Sequence, residues 1–210
     1  MDDGNEPFEA WGVGETSRRL RDGRSGPFER LDPAEVQRRT GSSAHREGVF
    51  ESTAAIVQPA ALARGLRRVA VDLGIEIFEN WAVTRFTQGR PVVVTTGEGT
   101  ITADKLVIAT NAWAASIPEL ARSIAVISSD MIVTEPIPEL LARIGWQPDL
   151  SITDSQTMVD YCRLTSDGRV AFGKGGSTIA YGGRIGEKFY HHLQRHSEVI
   201  ADFHRYYPRP

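Results

Sequence analysis

Residues 91–113, PVVVTTGEGTITADKLVIATNAW, decide how this chain of 210 residues is read. Pro91 to Thr96 is rich in β-branched residues, Gly97-Glu98-Gly99 supplies a tight reversal, and Thr100 to Ala103 resumes the pattern. That half predicts neighbouring strands of a small antiparallel meander. Lys105-Leu106-Val107-Ile108-Ala109 differs, because it is continuously apolar after the lysine. Strands buried on both faces of a helix-covered parallel sheet read that way. The run passes directly into Thr110-Asn111-Ala112-Trp113. In open α/β sheets ligands sit beyond the carboxyl ends of the strands. Small side chains there let backbone approach a nucleotide, and Thr110 and Asn111 can hydrogen-bond its oxygens. The same residues also read as a plain strand-to-helix turn capped by Asn111, and spacing alone leaves both readings open.

Working outward toward the N-terminus, Ala82 to Phe86 predicts one more strand of the meander and Ile75 to Phe78 a short strand before it. Gln58-Pro59 opens a helix, with proline suited to the first turn. Leu62, Leu66, Val69, Ala70 and Leu73 form one apolar stripe of that helix, and Gly74 closes it. Residues 1–48 read as an irregular leader with one short helix: Asp32 as cap, Pro33 at the first position and Gly41 at the end. Toward the C-terminus, Ile124 to Thr134 is β-rich, and Pro138 to Ile144 is one or two helical turns ended by Gly145. Val159 to Leu164 and Arg169 to Phe172 flank Ser166-Asp167-Gly168, a strong hairpin signal. A last helix spans about Glu187 to Tyr206. The fold class expected is mixed α/β: a parallel core strand with a β-meander, followed by an antiparallel sheet with helices.

Composition bounds the function. Apolar residues are 40% of the chain, enough for a proper core at this length. The formal charge is −3, so no basic excess points to nucleic acid. Uncharged apolar runs reach roughly ten residues, half of what a bilayer span needs. The acidic start MDDGNEPFEAWGVGE lacks the basic and apolar regions of a secretory signal, and the expected location is the cytoplasm. One cysteine, Cys162, rules out an intrachain disulfide framework.

Four groups of residues could carry chemistry. Gly168 to Gly175 falls one residue short of a phosphate-binding loop around Lys174, but no hydroxyl follows the lysine and no helix starts there, so it reads as a hairpin strand and a Gly-rich turn. His191, His192, His196 and His204 include one pair at helical spacing, yet no third metal ligand is identified, and a polar helix face explains them. Cys162 reads as a small buried thiol, because strand alternation puts it opposite Tyr161 and Arg163. Tyr161 and Arg163 then share a face, where a phenol and a guanidinium can grip a carboxylate. A face covered by a neighbouring helix or by solvent accounts for the same spacing.

Taken in order, the helix VQPAALARGLRRVAVDLGIEI, the strand WAVTRF and the run VVVTTGEGTITADKLVIATNAW resemble the middle of FAD-dependent amine and amino-acid oxidoreductases of the D-amino-acid oxidase type. SDMIVTEP at 129–136 and Tyr161-Cys162-Arg163…Asp167-Gly168-Arg169…Phe172-Gly173 are similar to that family's substrate-domain strands. The branch acting on γ-glutamylated or other small amines is the nearest in pattern.

The resemblance implies FAD as cofactor and a small amine or amino acid as substrate. It places the Val83 backbone against the adenine and Ala109, Thr110 and Asn111 near the ribose and pyrophosphate. Tyr161 and Arg163 would line the substrate side, with Met131 facing the flavin ring. No catalytic base is implied. It further implies residues 49–115 as a partial FAD-binding domain, with residues 116–210 and the leader in the substrate domain. The Gly-x-Gly-x-x-Gly turn expected of such a domain is not found, since Gly12-Val13-Gly14 lacks the third glycine and a preceding strand. The expectation is therefore an internal fragment of a larger flavoenzyme. A chain carrying the missing dinucleotide-binding unit would be its partner, and a remnant that binds neither flavin nor substrate is the alternative.

Overall fold

The computed structural model describes residues 27–176, 178–190 and 193–208. They divide into two compact units: residues 57–114, and a larger unit built from the segments on either side.

The larger unit opens with strand β1 (Phe28–Leu31), helix α1 (Pro33–Thr40) and strand β2 (Gly48–Glu51), and the two strands pair antiparallel. Local chemistry sets the ends of α1. The Asp32 carboxylate accepts the Glu35 amide at 2.8 Å, and Gly41 closes the helix in a left-handed conformation that glycine adopts without strain. Residues 49–51 stay with this unit through the β1–β2 ladder.

The smaller unit starts with α2 (Pro59–Asp72), capped by the Gln58 side chain accepting from the Ala61 amide. Strands β3 (Val83–Thr87), β4 (Val92–Thr96) and β5 (Thr100–Ala103) then form the expected antiparallel meander. Two expected strands are absent. Ile75 to Phe78 runs without a ladder, and Lys105 to Ala109 is not a strand. A strand exists only through its hydrogen-bonded neighbours, and every strand pair among the described residues is antiparallel, with none beside Lys105–Ala109. Consequently Val107, read as buried on both faces, is 86% exposed. The apolar stripe of α2 is uncovered too, with Leu66 61% and Leu73 74% exposed.

A 3-10 turn (Asn111–Ser116) and the short helix α3 (Pro118–Ala121) lead into the second part of the larger unit. Of the β-rich run 124–134, only β6 (Asp130–Val133) is a strand, with one isolated bridge from Ile127 to Ile179. Helix α4 (Pro138–Ile144) ends at left-handed Gly145, as its sequence predicts. Strands β7 (Ser151–Thr153), β8 (Asp160–Leu164) and β9 (Val170–Lys174) join β6 in an antiparallel sheet of order β6-β9-β8-β7. The β8–β9 hairpin turns at left-handed Gly168. Helices α5 (Glu187–Tyr190) and α6 (Leu193–Tyr206) complete the unit.

The core lies between one face of this sheet and α6. Cys162, Val170 and Phe172 from the sheet meet Val199 from the helix, with Leu141, Trp146 and Leu150 at the side and Phe203, Tyr206 and Tyr207 packed against them. The Phe172 ring meets Phe203 edge-on at 5.5 Å, and Trp146 stacks on Tyr207 at 4.9 Å.

Candidate functional site

Strand register sorts the sheet residues by face. Ile132, Phe172, Cys162 and Ile152 lie directly across from one another and form the core row. The adjacent row on the opposite face is Met131, Gly173, Tyr161 and Thr153, and the next is Val133, Ala171, Arg163 and Ser151. The structure thus brings Met131, Tyr161 and Arg163 together on the face turned away from α6. Met131 and Val133 are about half exposed there, at 48% and 55%. Cys162 falls on the core side, where burial pushes its thiol up to about 12, so it stays protonated and no nucleophile.

A close approach shapes the Tyr161 row. The hydroxyl end of the Tyr161 ring packs against Gly173, so tightly that a β-carbon at Gly173 would stand 2.3 Å from the ring. The phenol oxygen lies 2.6 Å from Ser129 Oγ, just ahead of β6, and Ser129 Oγ also lies 3.4 Å from the Lys174 carbonyl. Neither Ser129 nor Gly173 stands out as a site residue in the sequence. The available signal was a glycine between Phe172 and Lys174 in an otherwise bulky strand, which marks a close approach.

At the same end of β8 and β9, on the core face, lies a network of buried charge. Asp160 is 2% exposed and accepts from Lys174 Nζ at 3.1 Å, Arg205 at 3.0 Å and Gln156 Nε2 at 3.1 Å. Burial, the largest influence, holds its carboxyl above the usual range even against the lysine. Asp154 accepts the Asp160 amide at 2.9 Å and the Tyr206 hydroxyl at 2.6 Å. Lys174 Nζ also pairs with Asp202 at 2.7 Å, so the lysine is committed to two carboxylates rather than presented to a phosphate. A cavity of about 10 Å³, lined by His45, Asp154, Asp160, Cys162 and Tyr206 among others, sits beside this network. Among the described residues no group of three or more His, Cys, Asp or Glu side chains could hold a metal ion; His191 and His192 lie outside the described residues.

The residues expected on the cofactor side all belong to the smaller unit. Val83 is exposed and lies on β3, whose outer edge has no strand partner among the described residues. Ala109, Thr110 and Asn111 are exposed. Asn111 is left-handed at φ 47° and opens the 3-10 turn, in which the Trp113 amide donates to the Thr110 carbonyl at 3.1 Å. The open edge of β3 and the unladdered stretch before Asn111 leave backbone groups of this unit without a strand partner among the described residues. The amide cradle that a pyrophosphate requires is not found among the described residues, and Gly12-Val13-Gly14 lies outside them.

Two separate units, one with an open antiparallel sheet face and one with an exposed meander edge, define the class as a mixed α/β fold. L-proline dehydrogenase from P. horikoshii has the same fold at a TM-score of 0.65 and 19% identity, over 93% of this chain and 53% of that one. Glycine oxidase from Geobacillus kaustophilus matches at 0.62 and 18%, over 93% and 51%. The chain belongs to the FAD dependent oxidoreductase family, whose model matches residues 8–209. Among curated relatives it is similar to gamma-glutamylputrescine oxidoreductase of Escherichia coli, at 30% identity over 159 residues. It is also similar to the probable oxidoreductase OrdL of Haemophilus influenzae, at 29% over 153 residues. These alignments take in 75% and 70% of this chain but only 37% and 36% of the relatives, so the chain spans little more than a third of their length. Among the described residues no helix is long and apolar enough to cross a membrane.

Proposed function

We propose that this chain supplies the substrate face and the adenosine-side contacts of an FAD-dependent oxidoreductase that oxidises the C–N bond of a small amine or amino acid. The observation that carries this reading is the in-register pairing that puts Met131, Tyr161 and Arg163 on one open sheet face. Arg163 is the group to hold a carboxylate, through a planar pair of N–H donors. Tyr161 supplies a second polar contact, and Met131 an apolar wall. Val83, Ala109, Thr110 and Asn111 hold the adenosine end of the cofactor through backbone and small side chains. Flavin, when bound, accepts the hydride from the C–H bond next to the substrate nitrogen. The chain's own task is to orient that bond and keep water away from it, which requires no titrating side chain at the reacting carbon.

The test is reconstitution with FAD, gel filtration, and a spectrum from 350 to 500 nm, followed by anaerobic addition of small diamines, their γ-glutamyl derivatives and amino acids. Retained flavin absorbance that bleaches with one of these compounds supports the proposal. Retained absorbance that none of them bleaches refutes it. A second reading, a remnant that binds neither flavin nor substrate, is favoured by the uncovered apolar stripe of α2 and the unladdered 105–109 segment. Loss of all flavin absorbance on the column supports that reading instead.

A further inference from the structure

We infer that Ser129 and Gly173 are positioning residues for Tyr161, and that together they set where the phenol oxygen meets the substrate. This inference rests on the functional reading above.

Space at Gly173 decides where the ring can lie. Tyr161 on β8 and Met131 on β6 are separated by the central strand β9, with Gly173 between them in the same row. Any side chain at Gly173 would stand the tyrosine upright, as a residue normally stands on a sheet. Without one, the ring folds down over the Gly173 backbone and spans the strand, and a β-carbon there would also lie 2.5 Å from the phenol oxygen. The Gly173 backbone itself needs no left-handed conformation, so close approach is the reason for glycine at this position.

The second element is direction. A ring lying on glycine could still swing about its own Cα–Cβ bond. The 2.6 Å hydrogen bond to Ser129 Oγ, reaching 32 residues back along the chain, ties the oxygen to the β6 side. Ser129 and Met131 are two residues apart, so the anchored oxygen is delivered next to the Met131 side of the face. A polar atom that a substrate must find is worth more when its position is fixed before binding, since the ordering cost is already met.

The experiment labels the full chain with 3-fluorotyrosine and assigns the Tyr161 resonance by Tyr161→Phe. Ser129→Ala and Gly173→Ala are each expected to move that resonance toward the position of solvent-exposed 3-fluorotyrosine. Ser129→Thr, which keeps the hydroxyl, is expected to restore it. Val133→Thr, on the same face one row away, is expected to leave it in place. In flavin-loaded protein, Ser129→Ala should raise KM about five- to tenfold, the effect of losing one positioned hydrogen bond, with kcat within about twofold. An unmoved resonance in Ser129→Ala overturns the inference whatever the activity, and so does a moved resonance with an unchanged KM. Absence of turnover with every amine and amino acid overturns the functional reading, while the resonance still decides whether Ser129 and Gly173 seat the tyrosine. Should Gly173→Ala fail to fold, the two Ser129 variants decide alone.

Discussion

Replacing Asp160 with asparagine removes the anion at the centre of the buried network while keeping the side chain's shape. Asp160 accepts from Lys174, Arg205 and Gln156. Lys174 is mostly buried, so the bond it donates is of the charge-assisted kind, about 1.5–3 kcal/mol. Arg205 is half exposed and adds about 0–1 kcal/mol. The asparagine oxygen still accepts from one donor, and Lys174 keeps Asp202 at 2.7 Å. The expected loss is therefore about 1–3 kcal/mol, read as a drop in urea midpoint at constant slope. Lys174→Met alone should cost a similar amount, because it leaves the carboxylate short of its closest buried cation. The double variant should cost clearly less than the sum of the two, since neither partner is then stranded. If the two losses add to within about 0.5 kcal/mol, the pair is not coupled and this account of the network is wrong.

Further outcomes are expected on other parts of the molecule. Burial lowers the pKa of His45 below its ordinary value of 6.5, so the folded state binds its proton less readily than the unfolded chain. The stability this contributes is whole above pH 6.5 and is lost as pH falls through the lower folded value; melting temperatures between pH 7.5 and 5 should show a smaller decline in His45→Phe, which keeps the stacking on Tyr206 at 5.2 Å. Gly41→Ala puts a β-carbon 2.8 Å from the Ile144 carbonyl in a left-handed backbone, and should cost about 2 kcal/mol or more in chemical denaturation. Asp32→Ala removes the cap of α1 and should cost about 1 kcal/mol in the same measurement. The chain should bind a hydrophobic dye, and Leu66→Lys with Leu73→Lys should reduce the signal; undiminished dye fluorescence would mean that another surface is responsible.

What could be read ahead of the structure divides along a physical line. The caps of α1, the glycine ends of α1 and α4, the β8–β9 hairpin and the inward turn of Cys162 follow from local rules, and all are present. Ile75–Phe78 and Lys105–Ala109 carry apolar side chains suited to strands, but pairing depends on what lies alongside, and no strand does among the described residues. The long β-rich run 124–134 contributes only its last four residues or so to the sheet, because β9 offers partners to Asp130–Val133 alone. The shared face of Tyr161 and Arg163 was legible from alternation. Met131's place in the same row was not, because register between strands 30 residues apart is a tertiary fact. The seat beneath Tyr161 was hidden for the same reason.

The larger unit is stitched across its own insertion. Ser42 Oγ donates to the Tyr206 carbonyl at 2.5 Å, and the Tyr207 hydroxyl to the Thr40 carbonyl at 3.2 Å, joining residues more than 160 positions apart. On the ribosome, α1 emerges well before the residues it meets at Ile144, Gln147, Tyr206 and Tyr207, whereas residues 57–114 leave the exit tunnel as one uninterrupted stretch. The larger unit is therefore completed late in translation, and the end of α1 is tied down only after residues 57–114 have emerged.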